Sequence, residues 1–348
     1  MLKNLFGSTL KKKIWQNIGT LVVFGVAVYL ILPQIATLTN SWQVLLKMFL
    51  WAVGLAFLAQ VLSYLGSGYL LQKTLAITHQ VVSLSRSTLM VLGAASIALV
   101  AGGSVGSSAA IFRWTSGEKG SVGGSTLASL LPSLFNTMML VIVSIFGLVH
   151  LIMVHSLTQI QLIGFSIILV FMALVFGASI LASHYRQYAS STALWAAGHL
   201  ALLRHKPFDP ASTQKEMDNL FMAWDELWRG EWQLLTLGAF VNVLFDMLTL
   251  YFLFIASGNN ISFGVLLAGY ALPLLLGKIA FILPGGVGVV ETSMAALYNA
   301  LGIPNATTVV VVLGYRLISF WIPSLIGFPT AAYLQRSHNR PEAIPTAK

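Results

Sequence analysis

Six stretches of this chain, residues 14–38, 44–71, 125–154, 160–183, 233–256 and 307–334, carry at most one charged residue each. As a helix, each is long enough to cross ~30 Å of hydrocarbon. None alternates apolar with polar residues, so helices rather than strands are predicted. In lipid the backbone has no water to bond, and a helix satisfies its polar groups within one segment. Only 8% of the 348 residues are charged and the mean hydropathy is +0.83, whereas soluble domains are about one quarter charged. The predicted fold class is all-α, a polytopic transmembrane helix bundle. Residues 14–38 follow a basic segment but lack a small-residue cleavage site, so they read as a retained first helix.

The net charge of +9 does not point to nucleic acid. The basic residues gather outside the apolar runs, at Lys3, Lys11, Lys12, Lys13, Lys73, Arg86, Arg336 and Arg340. That distribution fits the positive-inside bias and predicts both termini on the cytoplasmic side of a prokaryotic inner membrane. The absence of cysteine excludes disulfides and thiolate metal sites. No P-loop, His-Glu-x-x-His or nucleophile elbow is present. His150 and His155 have no acid or cysteine beside them in the sequence. No catalytic residue, metal or cofactor is therefore expected, and the chain does not read as an enzyme.

Two further stretches, 88–115 and 263–303, are apolar but broken by glycine. The connections 39–43, 155–161 and 257–262 carry no Lys or Arg and read as external. Threading the six spans between these marks makes each broken stretch a re-entrant hairpin. The first enters from the cytoplasm and turns at Gly102-Gly103-Ser104-Val105-Gly106; the second enters from outside and turns at Gly285-Gly286-Val287-Gly288. This predicts one transmembrane domain over 1–348 built as an inverted repeat. Its parts are a first half at 1–183, a cytoplasmic amphipathic linker at 184–232 and a second half at 233–348. The competing reading is that paired glycines merely let helices approach closely. The linker holds six of the ten acids with Trp195, Trp224, Trp228 and Trp232, a composition suited to helices lying at a membrane surface.

Residues 283–291, Leu-Pro-Gly-Gly-Val-Gly-Val-Val-Glu, concentrate the chemistry. Pro284 stops one helix and the glycines permit a sharp turn. The helix that follows begins with N–H groups that have no intrahelical acceptor. A lipid phosphate would suit these donors, unless Glu291 caps them itself. Asp246, Lys278, Glu291 and Arg316 also lie within apolar stretches, where a charge costs at least ~2.5–3.5 kcal/mol on insertion scales. Two acids and two bases can form salt bridges that lock the bundle, or line a polar site. Asn242 shares a helical face with Asp246 and is expected to hydrogen-bond it. Arg113 is either the rim of the first hairpin or a guide for an anionic headgroup. Pro132 should kink its span, and Asn136 either lines a cavity or bridges helices. Phe320 and Trp321 read as packing anchors.

The run from Tyr270 to Gly327 joins this Pro-Gly-Gly-x-Gly-x-x-Glu motif to the turn Gly302-Ile303-Pro304, then to Tyr315-Arg316 and Trp321-Ile322-Pro323. It resembles the flippase-like membrane domain of bacterial lysylphosphatidylglycerol synthases, and Gly102 to Gly106 resembles that family's weaker first-half counterpart. The resemblance covers most of the chain and is strongest in the last third. It implies a translocase for a phospholipid or aminoacylated phospholipid, with Pro284, Gly285, Gly286, Gly288, Glu291 and Arg316 as the central pocket. A departure is Asn136, in the span where relatives often carry an arginine. The soluble aminoacyl-transfer domain of the bifunctional members is absent, so the chain is not expected to make lysyl lipid. The alternatives are an ion- or proton-coupled small-solute transporter and a membrane enzyme acting on a lipid carrier. Membrane phospholipid is the expected partner, and a homo-oligomer is left open.

Overall fold

The computed structural model describes residues 38–77, 80–116, 122–153, 184–203, 209–226, 232–279 and 284–338, with isolated residues between 166 and 181. The expected spans at 14–38 and 160–183 lie almost wholly outside the described residues. The first half comprises α1 (Leu38–Leu46), α2 (Leu50–Ile77), a hairpin of α3 (Leu84–Val100) and α4 (Gly103–Thr115), and α5 (Val122–Met153). Two more polar helices follow, α6 (Arg186–Leu203) and α7 (Pro210–Glu226). The second half comprises α8 (Trp232–Ala256), a hairpin of α9 (Phe263–Ile279) and α10 (Val289–Ala300), and a last long helix. That helix is α11 (Asn305–Arg316) continued by a π-helical turn, Leu317–Trp321, into α12 (Ile322–His338). The described residues contain no strand.

Four helices are long and apolar enough to span a bilayer: α2, α5, α8 and the composite Asn305–Arg336. Their outer faces carry exposed Phe57, Leu58 and Val61 on α2 and Ile145, Phe146 and Val149 on α5. Contiguous apolar surface of this kind marks contact with lipid or protein rather than water. The chain is a polytopic helical membrane protein. One boundary differs from the sequence reading. The span expected at 44–71 runs from Leu50 to Ile77, because the chain breaks after α1 and the Phe49 N–H is taken by the Ala256 carbonyl at 2.9 Å. Pro132 lies inside α5, which remains one helix.

The helices α2 and α8 form the central pair, antiparallel and packed along their lengths. Small residues set their spacing: a Cβ at Gly66 would lie 2.7 Å from the Asn242 nitrogen, and one at Gly238 would lie 2.9 Å from Leu70 Cα. Around this pair the first arm of each hairpin packs along the long helix of the opposite half, α3 on α12 and α9 on α5. A glycine marks each crossing. A Cβ at Gly327 would meet the Leu92 carbonyl at 2.2 Å, and one at Gly147 would meet the Ala268 nitrogen at 2.6 Å.

The hairpins open toward opposite ends of the bundle. Trp114 at the base of the first clusters with Leu71, Leu75 and Leu334. At the base of the second, Leu297 and Leu301 cluster with Leu151, and Tyr298 meets Phe254 edge-on at 4.8 Å. Leu75 ends α2, whereas Phe254 ends α8, and those helices run antiparallel. The 3-10 turn Pro284–Gly286 at the tip of the second hairpin packs against both arms of the first. The tip of the second hairpin therefore lies beside both arms of the first.

Candidate functional site

The tip of the second hairpin is built by backbone that only glycine adopts readily. Gly285, Gly286 and Gly288 have φ of 61°, 65° and 86°, in the left-handed region disfavoured for residues with a Cβ. There is also no room for one: at Gly286 it would lie 2.7 Å from Gly277 Cα. This turn delivers the chain into α10 with Glu291 in its first turn.

Glu291 resolves the choice left open by the sequence. Its Oε2 accepts the Gly288 N–H at 2.7 Å, and its Oε1 accepts the Arg316 Nε–H at 2.6 Å. The helix start is thus capped by its own carboxylate, a capping arrangement that also complements the helix dipole. Arg316 donates a second bond from Nη2 to the Gly285 carbonyl at 2.8 Å, and its guanidinium lies 4.5 Å over the Phe320 ring. Glu291 and Arg316 are 1% and 5% exposed, so this is a buried, charge-neutral clasp tying the hairpin tip to α11. The aromatic beside Arg316 is therefore a direct partner of the cation as well as a packing group.

A second polar cluster adjoins the first. Asp246, half-buried on α8, accepts the Tyr270 hydroxyl at 2.8 Å and the Tyr315 hydroxyl at 2.7 Å, both on Oδ2. The Gln60 side chain on α2 also hydrogen-bonds this carboxylate. The Tyr64 hydroxyl, one turn along α2, donates to the Ser319 carbonyl in the π-helical turn at 3.1 Å. Tyr315 and Arg316 are consecutive, so α11 carries one residue into each cluster.

The expected bond from Asn242 to Asp246 is not made. Asn242 donates to the Ser63 carbonyl at 3.0 Å and to Ser63 Oγ at 2.9 Å. It sits at the close approach over Gly66, where α2 brings the Ser63 acceptors within hydrogen-bond reach. Of the partners of Asp246, Tyr315 stands in the sequence reading only as a motif residue and Tyr270 only as the start of the resembling run, while Gln60 is not singled out; none is assigned to Asp246. Their signal was present: each is a hydrogen-bonding side chain within an apolar run.

The remaining expected site residues are dispersed. Lys278, in the last turn of α9, is exposed and has no polar partner among the described residues. Arg113 is exposed in the last turn of α4, ten residues and hence about 15 Å of helix from the turn at Gly103. That is the rim position. Asn136 is half-buried on α5, its Oδ1 buried without a partner among the described residues. Between α6 and α7 lies a separate cavity of 470 Å³ lined by Arg186, Gln214 and Asp218 among others. Arg186 pairs there with Asp225 across the two helices. No cluster of three or more His, Cys, Asp or Glu able to hold a metal occurs among the described residues.

Comparison with known proteins agrees with this architecture. A family model described as the lysylphosphatidylglycerol synthase TM region matches residues 17–327. Similar curated proteins include a UPF0104 membrane protein of Pyrococcus horikoshii, 39% identical over 82 residues, which is 24% of each chain. One from Methanothermobacter thermautotrophicus is 38% identical over 84 residues, 24% of this chain and 25% of that one. Another, from Methanocaldococcus jannaschii, is 31% identical over 93 residues, 27% of each. The matched region spans about a quarter of the length of these relatives.

Proposed function

The chain belongs to the family of the lysylphosphatidylglycerol synthase TM region, and from that premise we propose that it is a lipid translocase of the cytoplasmic membrane. Its cargo is a phospholipid or aminoacylated phospholipid moved between leaflets. One feature carries the reading: two short hairpins open toward opposite ends, and the tip of the second packs against both arms of the first, beside a buried ion pair. The arms of 17, 13, 17 and 12 residues are about 18–26 Å long. They read as re-entrant segments that close the centre of the bundle from both sides. Alternating access needs such a centre, where broken helices of two inverted repeats enclose the cargo site.

The chemistry divides between two groups. Lys278, accessible beside the hairpin tip, is the first contact for a headgroup phosphate. The Glu291–Arg316 clasp holds the tip shut. A zwitterionic or aminoacyl headgroup carries both charges needed to replace it: phosphate for Arg316 and ammonium for Glu291. Exchange of partners keeps each charge paired, so the clasp opens without leaving an isolated charge in lipid. Both termini lie in the cytoplasm in this reading.

The test is a proteoliposome assay with a headgroup-labelled phospholipid and a membrane-impermeant quencher. Wild type should exchange the label between leaflets. Lys278→Gln should slow exchange about tenfold, equivalent to ~1.4 kcal/mol, and Arg316→Ala should abolish regulated exchange. Equal exchange by all three proteins would overturn the proposal.

A further inference from the structure

Asp246 feels the charge of Arg316 but has no cation in direct contact among the described residues. Arg316 is engaged by Glu291 and by the Gly285 carbonyl, and no other described cation contacts Asp246. Its partners are two tyrosine hydroxyls and an amide, all of them neutral. An ionised carboxylate only accepts hydrogen bonds, so Gln60 must turn its NH2 group toward Asp246. The other amide atom, Gln60 Oε1, is buried with no partner among the described residues, on a residue only 5% exposed. A buried acceptor without a donor is rare and calls for an explanation such as an unseen ion. Beside it stand a carboxylate with spare lone pairs and two tyrosine oxygens, each donating and each retaining acceptor capacity.

We propose that Asp246, Gln60, Tyr270 and Tyr315 form a binding site for one Na⁺ ion, for which a proton competes. The ligands are all oxygen, as a hard cation requires, and they carry one negative charge, which matches a monovalent ion. Divalent sites gather more carboxylates or retain waters and phosphates. Asp246 is only partly buried, so the site is not sealed within the protein. The titratable and charged groups facing the site are Tyr64 on α2, Tyr270 on α9, Tyr315 and Arg316 on α11, and Glu291 on α10. Among them the carboxylate of Asp246 alone is free of a cationic partner. Occupancy is felt at the clasp because Tyr315 holds Asp246 while the next residue, Arg316, holds Glu291. The consequence for transport rests on the translocase reading; the binding itself does not.

The experiment uses the full chain in nanodiscs of neutral lipid, with NaCl replaced stepwise by choline chloride at constant ionic strength. Thermal unfolding is followed by tryptophan fluorescence. Na⁺ should stabilise the protein saturably, and its apparent affinity should fall tenfold per pH unit once the proton competes. Asp246→Asn should remove both effects, and Gln60→Leu, which keeps the carboxylate, should weaken Na⁺ at least tenfold while the protein remains folded. A wild type indifferent to Na⁺ against choline, stabilisation by acid alone, or an Asp246→Asn protein still responding to Na⁺ would each overturn the site. Because no lipid movement is measured, Na⁺ binding without lipid exchange in the proteoliposome assay would refute the translocase and leave the site standing.

Discussion

Replacing Glu291 with alanine should do more damage than replacing its partner. Glu291→Ala strips the carboxylate from a guanidinium that is 5% exposed and cannot shed its proton. Removing one member of a buried pair costs about 3–5 kcal/mol, and loss of the Gly288 cap adds about 1 kcal/mol. The Gly285 carbonyl and Phe320 ring return a part of this, leaving about 3–5 kcal/mol. In Arg316→Ala the stranded group is different: Glu291 keeps the Gly288 N–H at 2.7 Å. Its loss should be about 2–3 kcal/mol. Glu291→Leu with Arg316→Met leaves no buried charge, and such replacements are often neutral or stabilising. The double variant should therefore be more stable than Glu291→Ala. Equilibrium unfolding in mixed micelles, read by tryptophan fluorescence, measures each variant. A Glu291→Ala protein within ~0.5 kcal/mol of wild type, or a Glu291→Leu with Arg316→Met protein no more stable than Glu291→Ala, would refute the clasp.

Three other outcomes follow from the packing. Gly286→Ala should cost at least ~1–2 kcal/mol for its left-handed backbone, and more because the Cβ would lie 2.7 Å from Gly277 Cα. Gly258→Ala, with φ of 76° but open space around it, should show only the backbone cost; equal losses at both would sink the crowding argument. Tyr270→Phe and Tyr315→Phe should each lose about 1.5–3 kcal/mol, the range for a hydrogen bond to a charged group. Their double variant should be non-additive, since both bonds end on Asp246 Oδ2. Asp225→Asn should leave unfolding within ~1 kcal/mol of wild type, because its pair with Arg186 is exposed on both sides and surface pairs contribute little.

Long runs without charge dictated the fold class by themselves, because lipid admits few backbone solutions and a helix is the one a single segment can supply. The boundaries of α5 and α8 and the second hairpin were legible for the same local reason, whereas for Glu291 the sequence offered capping and ion pairing as alternatives and the structure has both. The start of α2 was not, since it depends on Ala256, more than two hundred residues away. Neither was the role of Asn242. Same-face spacing on one helix pointed to Asp246, but the acceptor that Asn242 uses belongs to another helix, brought close by Gly66. The partners of Asp246 come from α2, α9 and α11, and hydropathy cannot register which apolar helices will share a face. Sequence fixes what each segment can satisfy within itself. Which buried charge finds which partner is decided only when the two halves pack and leave every polar atom to seek its neighbour across helices.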